Sequence, residues 1–157
     1  MRLRTALTKS KNLVSIRMLE HIGVDYARDY IQRFGFSPKQ HPPYLTIALG
    51  AGSVTPLQMA GAYSVFANGG YRTKPYLIST ITDSKGKLIS QNHPAVAGRN
   101  AEQVIDPRNA FIMTSIMQEV ARIGTAAKAR ELGRYDLAGK TGTTNNLVDA
   151  WFAGYNP

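Results

Sequence analysis

The sequence predicts an α+β domain, with helices dominating its middle and a pair of antiparallel strands at its end. Three observations predict it. Apolar residues recur at helical spacing in the first part of the chain. Two strand-like runs close it, and the strand–helix alternation of a parallel α/β sheet is missing. Hydrophobic residues make up 43% and charged residues 18% of 157 positions, a balance that supports a packed core and argues against disorder.

The elements follow in order. Leu13, Ile16, Leu19 and Ile22 recur every third residue, predicting a helix over residues 12–23 that Gly23 stops. A second helix is expected over residues 25–34, with Asp25 at its start and Gly35 at its end. Prolines 38, 42 and 43 mark residues 37–43 as loop. Thr55 can cap a helix whose first position is Pro56, where proline wastes no N–H; it runs to about Ala67 and closes at Asn68-Gly69-Gly70. Residues 74–82 and 87–90 read as a hairpin around the turn Asp83-Ser84-Lys85-Gly86. Residues 91–104 look polar and irregular. Asp106-Pro107 opens another helix, with Met113, Ile116, Met117 and Val120 on one face. Thr125 is expected to cap a short helix to Leu132. Residues 137–143 and 150–155 read as antiparallel strands joined through Thr144-Asn145-Asn146. A sheet that stops at Pro157 leaves an open edge, so the chain is expected to be part of a larger domain.

Composition narrows function. The net charge of +9 favours anionic partners. The basic residues are scattered, however, and the densest run (Arg2, Arg4, Lys9, Lys11) lacks the interleaved aromatics of a strand-binding platform, so no nucleic-acid partner is expected. The absence of cysteine excludes disulfides and thiolate metal sites. His21, His41 and His93 lack ligand spacing, so neither metal nor cofactor is expected. No apolar run approaches the ~20 residues of a membrane span.

Three short patterns fail on context. Gly139-Lys140-Thr141 suggests a phosphate loop, but position 134 is arginine where a glycine is needed. Gly50-Ala51-Gly52 meets Thr55 where a dinucleotide fingerprint has its third glycine. Ser84-x-x-Lys87 matches the spacing of a serine nucleophile and its lysine, yet it falls in a turn, where the amine points into water and stays protonated.

Two motifs remain: Ser10-Lys11-Asn12 and Lys140-Thr141-Gly142-Thr143. Ser-x-Asn arises by chance about 0.4 times in a chain of this size, whereas Lys-Thr-Gly-Thr arises about 0.001 times. Taken singly, Ser10 and Asn12 read equally well as helix-start residues, and Lys140 as a solvated strand lysine. Together the two motifs resemble the signature of β-lactamases and penicillin-binding proteins. The resemblance to class A penicillin-binding proteins extends through Arg4-x-Ala6-Leu7 and the run from Ala48 to Ala60. It continues through Ala62-Tyr-Ser-Val-Phe-Ala-Asn-Gly-Gly70 and Ile123-Gly-Thr-Ala126, and closes with Asp149-Ala-Trp-Phe-Ala-Gly-Tyr-Asn-Pro157.

That resemblance implies the fold of a partial β-lactamase/penicillin-binding-protein transpeptidase domain, with residues 1–157 as its C-terminal part, truncated at both ends. It implies that Ser10 relays a proton and that Asn12 orients the substrate's amide side chain. Lys140 supplies a fixed cation, and Thr141 and Thr143 grip the carboxylate of a terminal D-alanine or of a β-lactam. Gly142 lets substrate lie along the strand, and the Thr143 N–H is an oxyanion donor. Asp149, Trp151 and Tyr155 are expected to frame the strand. The implied partners are a D-Ala-D-Ala stem peptide and β-lactams. The implied parent chain supplies the Ser-x-x-Lys nucleophile, a glycosyltransferase domain and a membrane anchor, at the periplasmic face of the bacterial inner membrane. The piece alone is expected to be inactive. A non-enzymatic penicillin-sensing domain of the same fold and a hydrolytic β-lactamase are the alternatives; the second needs a deacylating base for which no candidate is seen.

Overall fold

The computed structural model describes residues 1–144 and 148–156. Among the described residues five helices carry the fold: α1 (Leu3–Thr8), α2 (Asn12–Ile22), α3 (Val24–Ile31), α4 (Pro56–Ala67) and α5 (Pro107–Ile123). Six strands pair two by two, all antiparallel: β1 (Tyr71–Arg72) with β4 (Glu102–Gln103), β2 (Thr80–Thr82) with β3 (Leu88–Gln91), and β5 (Ala138–Thr143) with β6 (Ala150–Tyr155). The expected α+β class is what the chain adopts.

Local chemistry explains the helix ends. Gly23 separates α2 from α3 at φ 90°, a left-handed angle that an L-residue with a Cβ rarely adopts. After α3 the chain tightens to a 3-10 turn, Gln32–Phe34, so the second predicted helix is partly 3-10. Thr55 caps α4 as expected. Its hydroxyl accepts from the Gln58 N–H (3.2 Å) while Gln58 Oε1 accepts from the Thr55 N–H (2.9 Å), with Pro56 at the first helical position. Asp106 caps α5 through the Arg108 N–H (2.8 Å).

Other expectations need correction. Residues 37–43 are not plain loop, because Ser37 and Gln40 close a capping box around a 3-10 turn, Pro38–Gln40. The strand expected over residues 74–82 shrinks to Thr80–Thr82. Its partner extends only to Gln91, opposite Thr80, and Pro75 has no N–H for a ladder. Thr125 does not cap the segment after α5: that segment is a 3-10 turn, Ala127–Leu132, whose capping position is Ala126. The expected strand connection at Asn145 and Asn146 lies outside the described residues.

Two packed regions hold the chain together. Val65 of α4 is fully buried with Val104, Ile105 and Ala110, and Tyr30, Phe34 and Phe66 lie against them. Burying one such valine contributes roughly 1.5–3 kcal/mol. The second region is α5, which packs on α1, α4 and β5 and buries Met117, Val120 and Ala121. Ala138, the first residue of β5, is completely buried. This second region positions the site, because α1 and β5 both rest on α5.

Candidate active site

Ser10 follows the residue that caps α1, Lys9, and closes the helix. Its own N–H bonds the Leu7 carbonyl (3.0 Å) and the Lys11 N–H bonds the Ala6 carbonyl (2.9 Å). This is the helix ending that normally places glycine in the left-handed conformation. Here the position is held by Ser10 at φ 49°, the single non-glycine residue with positive φ among the described residues. A side chain at that angle costs roughly 1–2 kcal/mol. In return, the hydroxyl projects from a fixed turn rather than from a helix face.

The turn is anchored at both ends of α1. The Arg4 guanidinium donates to the Ser115 carbonyl (3.1 Å), the Ser115 hydroxyl (3.1 Å) and the Glu119 carboxylate (3.0 Å) on α5. Thr8 is buried and gives its hydroxyl proton to the Arg4 carbonyl (2.8 Å). The Thr8 carbonyl accepts from the Thr125 N–H just beyond α5 (3.2 Å).

β5 brings the second motif to this turn. Gly139 pairs with Gly154, and the Phe152 ring lies against both, where a Cβ would collide with it. Lys140 follows, and its Nζ donates to Ser10 Oγ (2.9 Å) and to the Thr141 carbonyl (2.8 Å). The Lys140 ammonium makes no ion pair among the described residues. Burial pushes its pKa down from the usual lysine range. Because Lys140 can only donate, Ser10 accepts from it and keeps its own hydroxyl proton for another acceptor.

The Thr141 hydroxyl meets that of Thr125 at 2.6 Å. Gly142 has open space where a Cβ would be. Gly142 and Thr143 line a cleft of 870 Å³ with Trp151 of β6 and with Ser53, Val54 and Met59 from the α4 region. Ser10, Asn12 and Lys140 are not among the residues lining it. Asn12 begins α2, exposed, with no side-chain hydrogen bond to a described residue. Neither Ser10 nor Asn12 acts as a side-chain cap for α2, whose capping residue is Lys11.

The structure therefore brings Ser10, Lys140 and Thr141 into one hydrogen-bonded group, with Gly142 and Thr143 beside it on the cleft. Ser84 and Lys87 fall in the turn between β2 and β3, remote in character from a helix-borne nucleophile. Asp149 closes the β5–β6 pair through Thr144, and Tyr155 bonds Thr114 of α5 at 2.6 Å, so both frame the strand. Thr125 was missed as a site residue. The signal was its place in Ile123-Gly-Thr-Ala126, one of the runs that carry the family resemblance.

The family profile described as "Penicillin binding protein transpeptidase domain" matches residues 1–157. The chain belongs to the penicillin-binding protein transpeptidase family. It is 63% identical over 155 residues to "Penicillin-binding protein 1A" of Neisseria lactamica, covering 99% of this chain and 19% of that protein. It is 40% identical over 199 residues to the protein of that name from Pseudomonas aeruginosa, covering 98% and 24%. The crystal structure of penicillin-binding protein 1A from Haemophilus influenzae superposes with a TM-score of 0.93 at 34% identity, covering 99% of this chain and 28% of that one. The chain thus spans about a fifth of the curated relatives it matches. These likenesses establish the transpeptidase-domain fold for the helices and strands described above.

Proposed function

We propose that this chain is the recognition and proton-relay half of a D,D-transpeptidase that cross-links peptidoglycan stem peptides. The observation that carries the reading is the 2.9 Å bond from Lys140 to Ser10, which joins two motifs 130 residues apart. In the proposed reaction a serine of the parent protein attacks the carbonyl between two D-alanines. An acyl ester forms, the C–N bond breaks, and D-alanine leaves as an amine. The amine of a neighbouring stem peptide then takes the acyl group and frees the serine. β-Lactams acylate the same serine.

Each residue has a task. Ser10, holding its hydroxyl hydrogen free, passes a proton from the parent's Ser-x-x-Lys lysine to the departing amine. Lys140 keeps a positive charge where the substrate carboxylate arrives. Asn12 offers both a donor and an acceptor to the substrate amide. Thr141 and Thr143 donate to the carboxylate. The open space at Gly142 lets the peptide lie along β5 as an added strand, and the Thr143 N–H faces the developing oxyanion. The parent further carries a glycosyltransferase domain and an anchor that holds it at the periplasmic face of the inner membrane. The chain alone, whose one Ser-x-x-Lys lies in a turn, carries no transpeptidase activity.

The reading predicts a pH signature. Lys140 titrates below the ordinary lysine value of about 10.4 because burial disfavours its charge. Between that lowered pKa and the unfolded value the unfolded chain binds more protons, so stability rises with pH across this window. Activity moves the other way, since the ammonium is lost there. D-Alanine release by the full-length parent from a D-Ala-D-Ala peptide should therefore fall along an alkaline limb starting below pH ~10.4. Lys140→Arg, whose guanidinium stays charged, should remove that limb. A limb unchanged by Lys140→Arg would refute the assignment of Lys140.

A further inference from the structure

We propose that Thr125 is a positioning residue for acyl transfer, a clasp that sets the distance between Lys140 and Ser10 by holding the segment behind each of them. The inference rests on the transpeptidase reading above and adds a residue to it. Thr125 reaches in two directions from one backbone position. Its N–H bonds the Thr8 carbonyl (3.2 Å), two residues before Ser10. Its hydroxyl meets that of Thr141 (2.6 Å), one residue after Lys140. Lys140 and Ser10 then meet at 2.9 Å. The three contacts close a ring through α1, the end of α5 and β5.

Each side of the ring is held by something independent of the clasp. Gly124 lies so close to α1 that an added Cβ would strike the Thr8 carbonyl oxygen and the Val120 Cα. The backbone before Thr125 is thereby pressed onto the Ser10 turn. Arg4 fixes the far end of α1 to α5 through Ser115 and Glu119. On the other side, β5 is fixed by its pairing with β6. The Thr125 hydroxyl is thus the adjustable link: it couples a docked helix turn to a docked strand across the site.

Either hydroxyl of the pair can be the donor. A hydroxyl donates once and accepts from two directions. With Thr125 donating, Thr141 accepts from behind and keeps its own hydrogen for a carboxylate in front. Thr125 touches neither substrate nor the reacting atoms in this scheme, and acts through Thr141, Lys140 and Ser10.

The test uses the full-length parent protein with Thr125→Val, which keeps shape and N–H but loses the hydroxyl, and Thr125→Ser, which keeps both polar groups. Acylation by benzylpenicillin is followed at several concentrations, separating the Kd of the first complex from the acylation rate constant. Thr125→Val should lower the rate constant about tenfold, the size expected for one lost hydrogen bond, with an unchanged melting temperature. Thr125→Ser should stay within about twofold of the unsubstituted protein. A pH titration of isotopically labelled Lys140 should show its pKa rising towards the ordinary value in Thr125→Val, as the loosened site admits water. Equal losses in both variants, a loss confined to Kd, or an unmoved Lys140 titration overturns the proposal. Unsubstituted protein that is never acylated counts against the transpeptidase reading instead, and the Lys140 titration still decides Thr125.

Discussion

Ser10 carries its hydroxyl on a backbone angle that suits glycine, and the two demands can be separated. Relaxing φ 49° by Ser10→Gly removes the Cβ from the left-handed conformation. The substitution should stabilise the fold by about 1 kcal/mol, read as a higher denaturation midpoint. It should also lower acylation by benzylpenicillin roughly a hundredfold, because the proposed relay hydroxyl is gone. A variant that gains stability and keeps its acylation rate would show that Ser10 shapes the turn and carries no proton. The sequence named Lys140 and Thr141 because Lys-Thr-Gly-Thr is specific, and Ser10 because Ser-x-Asn accompanies it in a chain that resembles class A penicillin-binding proteins. It could not show Ser10's backbone angle, nor that Thr125 turns its hydroxyl to Thr141 rather than to a helix end. The angle belongs to a helix ending where glycine is the usual signal, and the Thr125–Thr141 contact joins segments 16 residues apart.

At the scale of elements, the long periodic ones were legible and the short ones were not. α5 could be read from Met113, Ile116, Met117 and Val120, of which Met117 and Val120 prove fully packed. α4 could be read from Thr55 and Pro56. α1 went unread, because six residues are too few to form a helix by propensity, and its support comes from α5 through Arg4. The two-residue pairing of β1 with β4 went unread for a like reason: the Val104 N–H bonds the Gly70 carbonyl (2.8 Å), a contact without local pattern. The docking of α1 on α5 can be tested at Gly124. Gly124→Ala should push the Thr8 carbonyl away and cost about 1–3 kcal/mol of stability. It should also slow acylation more than a substitution of equal cost in the Val65 core, since it displaces Ser10. Equal slowing at equal stability would place the α1–α5 contact outside the site.

For the molecule as a whole, the residues proposed for recognition, the strand that presents them and the helix that supports both lie within one chain, and the proposal places the nucleophile outside it. The fold class was readable because the strand–helix alternation of a parallel α/β sheet is missing from the sequence. The chain spans about a fifth of the length of the curated relatives it matches. The most direct measurement is intact mass after incubation with benzylpenicillin, taken for this chain and for the full-length parent. The account predicts that the parent gains one acyl mass and that this chain gains none. A folded parent that gains nothing would contradict the transpeptidase assignment, and acylation of this chain by itself would show that the nucleophile lies within residues 1–157.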